Sequence, residues 1–285
     1  MLPSTAYLFI SHGSRDNRPQ LAIAKLAKLV RILMAEGQRR EGERAKYNFS
    51  FAPLYPSSGW GSGQELLYTK QAETAIATHN SSTPLLETAT LELGKFPLHQ
   101  QIRLFAQQAL VHNYRRLQVL PLFLLPGVHV MEDIPQEIAI AQQWLGDNLE
   151  IQQLPHLGSY PHLGQLLNNQ AEIADVEVKI LVSHGTRRIG GNQMVETLAQ
   201  NLGGVAAYWS VAPMLPQQVA HLAGQGYKRI GILPYFLFSG TITDAIAKTL
   251  TNLQLEFPHL YLKLGQPLGE TPQLAQLIVD LIKKS

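Results

Sequence analysis

The phrase LFISHGSR, beginning at Leu8, returns as ILVSHGTR at Ile180, so that His12 and His184 stand 172 positions apart (12 to 184). Three more phrases recur in the same order. PLHQQI at Pro97 matches MLPQQV at Met214, PLFLLPG at Pro121 matches PYFLFSG at Pro234, and LGSYPHLGQLL at Leu157 matches LGETPQLAQLI at Leu268. These spacings are 117, 113 and 111 residues, read from the first residue of each pair. A spacing this steady marks an internal duplication, and it forces both halves to fold by the same plan.

That plan is legible from periodicity. Short apolar runs at 6–10, 85–93, 117–125, 178–182, 206–211 and 229–238 have the length and composition of buried strands. Between them, apolar residues recur at helical spacing: Ile23, Leu26, Val30, Leu33; Leu98, Ile102, Phe105, Ala109; Ile134, Ile138, Ala141, Leu145. Strands alternating with helices predict an α/β fold of two duplicated modules, each a mostly parallel sheet with helices on both faces. At 285 residues, two modules also fit the size at which single cores stop growing, about 250 residues. The expected boundaries are 1–145 for the first module, 146–175 for its end and a linker, and 176–285 for the second.

The opening phrase is out of step, since its spacing of 172 exceeds 117 by 55. The extra residues fall at about 36–84, where a charged run (QRREGERAK) precedes APLYPSSGWGSGQ and then SSTP. Long segments of this composition are either surface excursions, here with some helix, or substrate lids.

Composition removes several classes of function. With 23 basic and 21 acidic residues the formal charge is +2, too weak and scattered for a nucleic-acid footprint, so no nucleic-acid partner is expected. The absence of cysteine removes disulfides, thiolate zinc sites, cysteine nucleophiles and protein-ligated iron–sulfur clusters. No apolar run nears the ~20 residues of a membrane span and no secretory leader is evident, so a soluble, cytoplasmic protein without membrane partner is expected.

Parallel α/β sheets bind ligands beyond the carboxyl ends of their strands. Three residues of the first half fall there. His12 follows the first strand with Gly13 to turn the chain; Glu92 lies near the end of LLETATLELG; His129 follows the third strand, two residues past Gly127, with Asp133 and Pro135 supplying helix-start chemistry. Alone, each reads as an ordinary capping histidine or solvated carboxylate. Together they form an open nitrogen/oxygen set suited to Fe²⁺, Co²⁺, Ni²⁺ or Zn²⁺ and unsuited to Ca²⁺, with positions left for substrate. In the second half the spacing of 117 sets Trp209 opposite Glu92, and that of 113 sets Ile242 opposite His129. Only His184 is kept, so one working site is expected, in the first half. His184 either faces the same cleft or is a structural strand-end residue.

SHGSR at Ser11, LETATLELGKFPLHQQI at Leu86 and VLPLFLLPGVHVMEDIP at Val119 together resemble the class II chelatases, the CbiX/SirB-type sirohydrochlorin ferrochelatases and cobaltochelatases. The resemblance covers both halves and leaves the insertion unmatched. It implies two modules facing each other across a cleft that receives the tetrapyrrole sirohydrochlorin. It also implies that His12, Glu92 and His129 form the metal and catalytic site, with Fe²⁺ or Co²⁺ as substrate and no organic cofactor. The polycarboxylate substrate calls for donors at the rim, and Arg15, Arg187 and Arg188, with His184, are the candidates, since guanidinium pairs with carboxylate in a fork. Phe123, Phe236 and Phe238 read as strand core rather than ring-stacking surface. Because the chain carries both modules, it is expected to form a complete cleft as a monomer.

Two other readings compete. A carrier would hold metal or tetrapyrrole without turnover. A His12-dependent phosphoryl-transfer enzyme would be expected to carry arginine directly before the histidine, where this chain has Ser11, and no Walker-type glycine loop is present.

Overall fold

The computed structural model describes residues 5–47 and 84–284, with side chains 38–47 excepted. The first half runs β1 (Thr5–Ser11), α1 (Asn17–Tyr47), β2 (Leu86–Thr90), α2 (Leu98–Val111), β3 (Arg116–Pro121), a π turn (His129–Asp133), α3 (Ile134–Leu145), β4 (Glu150–Gln153) and α4 (Leu163–Asn168). The second runs β5 (Val178–Ser183), α5 (Gln193–Asn201), β6 (Gly204–Tyr208), α6 (Leu215–Gly224), β7 (Arg229–Pro234), α7 (Thr241–Glu256), β8 (Tyr261–Leu264) and α8 (Pro272–Lys284). Of the expected insertion, 36–47 continues α1 as helix, and 48–83 lies outside the described residues.

Each half contains one four-stranded sheet, ordered β2-β1-β3-β4 and β6-β5-β7-β8, and every pairing is parallel. The expected α/β architecture is therefore present, with sheets that are parallel throughout. β1 shows why the sequence chooses this arrangement. Ala6, Leu8 and Ile10 enter one apolar cluster with α2 and α3, whereas Phe9 enters another with α1. A strand buried on both faces needs helices on both sides, and an almost continuous apolar run is its signature. β5 repeats the division, with Val178, Ile180 and Val182 on one side and Leu181 on the other.

The cluster holding Phe9 and Leu181 is shared between the sheets. It takes in Leu26 and Val30 of α1, Val195 of α5, and Leu274 and Ile278 of α8. Helices α1, α5 and α8 thus form a common middle layer, α2 and α3 cover the far side of the first sheet, and α6 and α7 cover that of the second. Complete burial of each such side chain contributes about 1.5–3 kcal/mol, enough to bind the two halves rigidly through this layer.

Strand-end loops of the two halves also meet. The Tyr235 hydroxyl donates to the Leu124 carbonyl at 3.4 Å, and Arg18 reaches Asp244 with two hydrogen bonds of 3.1 and 2.7 Å. The same guanidinium holds Asp16 at 2.6 Å. A single arginine thus joins the loop after β1 to the first turn of α7.

Candidate metal centre

The last ladder pair of β1 and β2 is Ser11 with Thr90. Two further hydrogen bonds carry the pairing past the strands, from Leu91 N–H to the Ser11 carbonyl at 2.8 Å and from Glu92 N–H to the His12 carbonyl at 2.9 Å. His12 and Glu92 therefore leave the sheet edge side by side. Gly13 makes the closeness possible: its φ is +99°, and a Cβ there would stand 2.1 Å from the Glu92 carbonyl oxygen. Only a residue without a side chain accepts both conditions.

β3 ends at Pro121, whose ring removes a ladder donor. One more bond, Leu122 N–H to the Ile10 carbonyl at 2.7 Å, holds the chain before it loops through Gly127 to His129. His129 opens the π turn, a rare helix variant that is frequent at functional sites.

The three expected residues converge. One potential ligand atom from each of His12, Glu92 and His129 lies within 4.8 Å of the other two. His12 Nδ1 is 3.9 Å from Glu92 Oε2, and the imidazoles sit edge to face with centroids 4.7 Å apart. The side chains of His12 and Glu92 are each 51% exposed, so the group is open to solvent. An open cleft of about 380 Å³ adjoins it, lined in part by Glu92, Asp133 and Glu137. Glu137 is occupied with His99, accepting from its backbone N–H at 2.7 Å and lying 2.9 Å from its Nδ1.

Asp133 departs from expectation. Its side chain makes no cap bond at the start of α3; it lies 2.6 Å from His129 Nδ1 instead. Phe123 packs against the first module's outer cluster, as expected of core, and it also borders the site. It is past the end of β3, partly exposed, and its ring stands 6.4 Å from that of His12 and 6.2 Å from that of His129. Phe236 packs against the second module's outer cluster and Phe238 belongs to the shared one, both as expected of core.

The second half repeats the scaffold with other side chains. Gly185 has φ +79°, and Trp209 N–H and Ser210 N–H reach the carbonyls of Ser183 and His184, each at 2.9 Å. This corrects the sequence alignment. By hydrogen-bond register Trp209 corresponds to Leu91, and Ser210, not Trp209, takes the place of Glu92. The slip has a simple cause: Leu91 precedes the first residue of α2 by seven positions, whereas Trp209 precedes that of α6 by six. Ser210 Oγ donates to the His184 carbonyl at 2.8 Å. Ile242 keeps its assigned place opposite His129, since Asp244 N–H bonds Gly240 as Met131 N–H bonds Gly127.

Among the described residues, His184 joins no group able to hold a metal. Its Nδ1 lies 3.0 Å from the neighbouring Gly185 carbonyl. Arg15, Arg187 and Arg188 are all exposed in the loops after β1 and β5, and no ion pair ties them among the described residues. Sequence reasoning missed Arg18, whose two carboxylate partners come together only in the folded chain.

Two parallel modules with a three-ligand, nitrogen/oxygen site at one strand-end rim define the class: a duplicated α/β protein of the chelatase type. The chain belongs to the CbiX family, whose sequence model matches residues 62–174 and 179–285. A sirohydrochlorin ferrochelatase of Priestia megaterium is 25% identical over 218 residues, covering 72% of this chain and 79% of that protein. Two solved structures share the fold. The sirohydrochlorin chelatase SirB from Bacillus subtilis subspecies spizizenii, in complex with cobalt, superposes with a TM-score of 0.61 at 17% identity, over 99% of this chain and 94% of that one. SirB from Bacillus subtilis with Fe³⁺ gives 0.63 at 18% identity, over 99% and 95%. Among the described residues, no helix is long and apolar enough to cross a membrane.

Proposed function

We propose that this chain inserts a divalent metal ion, Fe²⁺ or Co²⁺, into sirohydrochlorin, and that His12, Glu92 and His129 in the first module carry the reaction. The observation behind this reading is the approach of three ligand atoms, from three adjacent strand ends, to within 4.8 Å on an exposed rim. The names of the relatives supply the substrate; the residues supply the chemistry.

Insertion exchanges two pyrrole N–H protons for one metal dication. A site for it must hold a partly dehydrated ion, release it, and accept protons nearby. Neutral imidazoles bind first-row divalent ions, and two of them with a carboxylate leave positions free for ring nitrogens. Glu92 completes the coordination or takes a proton as the metal passes to the ring. Its half-exposed carboxylate returns that proton to the adjoining cleft.

The second module serves as the opposing wall. Arg15, Arg187 and Arg188 are exposed and unpaired among the described residues, as groups awaiting substrate carboxylates would be. His184 is assigned to the same task. One chain supplies both rims, so a monomer suffices.

A mutant series distinguishes insertion from mere carriage. In His12→Ala and His129→Ala, an enzyme loses turnover while tetrapyrrole still binds, whereas a carrier loses only affinity. Unchanged turnover in both variants contradicts the assignment.

A further inference from the structure

The π turn that begins at His129 ends at Asp133, and these two residues are bonded to each other at 2.6 Å. We infer that Asp133 is a positioning residue for metal insertion: its carboxylate takes the Nδ1–H of His129, fixing the tautomer and ring orientation so that Nε2 is the free metal-binding nitrogen. This rests on the reading of His129 as a ligand. Three observations carry it.

The contact is short, and a carboxylate can only accept. At 2.6 Å the ring nitrogen facing an ionised Asp133 is the one that donates, and in the neutral imidazole this leaves the lone pair on Nε2. Without that partner either nitrogen can carry the proton, and the tautomer with hydrogen on Nε2 offers the ion no lone pair there. Outer partners of this kind are worth about 10–100-fold in metal affinity.

Asp133 has no competing structural task. It makes no cap bond to α3, although it stands at the helix start, and its side chain is 41% exposed. A carboxylate that only had to begin a helix would bond the backbone N–H groups ahead of it.

The second module has lost both members and the turn together. Before the turn the spacing is 113, which sets Ile242 opposite His129; after it Gln142 and Gln254 bond the Leu149 and Leu260 carbonyls alike, a spacing of 112 that sets Ala245 opposite Asp133, and α7 runs as α-helix from Thr241. Between paired residues of the outer strands the first module spans 34 positions (Arg116 to Glu150) and the second 32 (Arg229 to Tyr261). The π turn absorbs one of the two extra residues, since the spacing falls from 113 to 112 across it. The insertion, the histidine and the aspartate therefore occur as one unit where the site is complete.

The test uses Asp133→Asn and Asp133→Ala in the full chain, the first being isosteric so that folding is preserved. Imidazole ¹⁵N shifts of the metal-free protein report the His129 tautomer directly. Wild type is expected to be protonated on Nδ1, and Asp133→Ala, which removes the acceptor, to lose that single tautomer. Titration with Co²⁺ alone should show affinity lowered by about 10–100-fold. In the insertion assay kcat should fall while KM for tetrapyrrole stays within about twofold, as for a residue that acts through His129 and not on the substrate. Wild-type tautomer in Asp133→Ala, or Co²⁺ affinity within about twofold of wild type, overturns the inference. Failure of the underlying site is separately visible: His129→Ala would then bind Co²⁺ as tightly as wild type, whatever the Asp133 variants do.

Discussion

Glu92 donates its backbone N–H to the carbonyl oxygen of His12 at 2.9 Å, one step beyond the last ladder pair of their strands. This bond couples the carboxylate and the imidazole through the main chain, so their separation is set by the sheet and not by side-chain packing. The third member of the proposed site, His129, depends on a loop and a π turn. Sensitivity to mutation should differ accordingly.

His129→Ala removes a proposed ligand that is only partly buried, and leaves in place Val130, the buried side chain of the same turn. Insertion should fall by more than about 100-fold, since even the outer partners of ligands cost about 10–100-fold. Far-UV circular dichroism and the urea midpoint should stay near wild type. Near-normal insertion by this variant would remove His129 from the site.

Gly13→Ala tests the main-chain coupling. The added methyl would meet the Glu92 carbonyl at 2.1 Å in a conformation, φ +99°, that alanine avoids. Left-handed strain alone costs about 1–2 kcal/mol, and the clash adds to it. Both stability, by urea unfolding, and Co²⁺ binding should drop together. Loss of neither would mean that the His12–Glu92 step tolerates movement.

The register correction makes a prediction that distinguishes two neighbouring residues. Ile242→His alone should leave one Co²⁺ per chain. In that background Ser210→Glu should add a second, weaker equivalent beside His184, and Trp209→Glu should not, because only Ser210 occupies the place of Glu92. Metal stoichiometry by equilibrium dialysis decides between them. A second equivalent with Trp209→Glu, or with Ile242→His alone, contradicts the register.

The bridge from Arg18 to Asp16 and Asp244 should show in the pH dependence of stability. The side-chain hydrogen bond from Arg18 holds each carboxyl below its ordinary value, helped at Asp16 by the Arg18 backbone N–H. A carboxyl lowered by folding stabilises the fold above its unfolded pKa, about 3.9 for aspartate, and loses that contribution as pH falls through the folded value. The urea-midpoint gap between wild type and Asp244→Asn should therefore be constant from about pH 5 to 8 and narrow progressively as pH falls below about 3.9. A gap that does not narrow in acid would assign the effect to something other than this ion pair. Because the bridge is exposed, the gap should also shrink in high salt.

The central strands were readable because burial on both faces writes them as apolar runs, VLPLFLL being the clearest. Two of the four edge strands were not: EIQQ at β4 and YLKL at β8 are four residues long and mixed in polarity. Their existence follows from the sheet, through pairing with β3 and β7. The three ligand candidates were legible because parallel strands deliver their ends to one rim, so strand-end position alone could nominate them. What spacing could not supply was local geometry. A one-residue difference before α6 misplaced the counterpart of Glu92, and the same letters that read as a helix start at Asp133 serve instead to hold a histidine. Arg18 was unreadable for a different reason, as Asp244 lies 226 residues away.

The most direct test is an anaerobic absorbance time course with sirohydrochlorin in large excess over enzyme, Fe²⁺ or Co²⁺ present, and a parallel reaction without protein. Metallated product should accumulate linearly through many equivalents per chain and well above the protein-free rate, and His12→Ala and His129→Ala should abolish the difference. A spectral change that saturates at one tetrapyrrole per chain, with no further product, would contradict insertion and leave a protein that only binds.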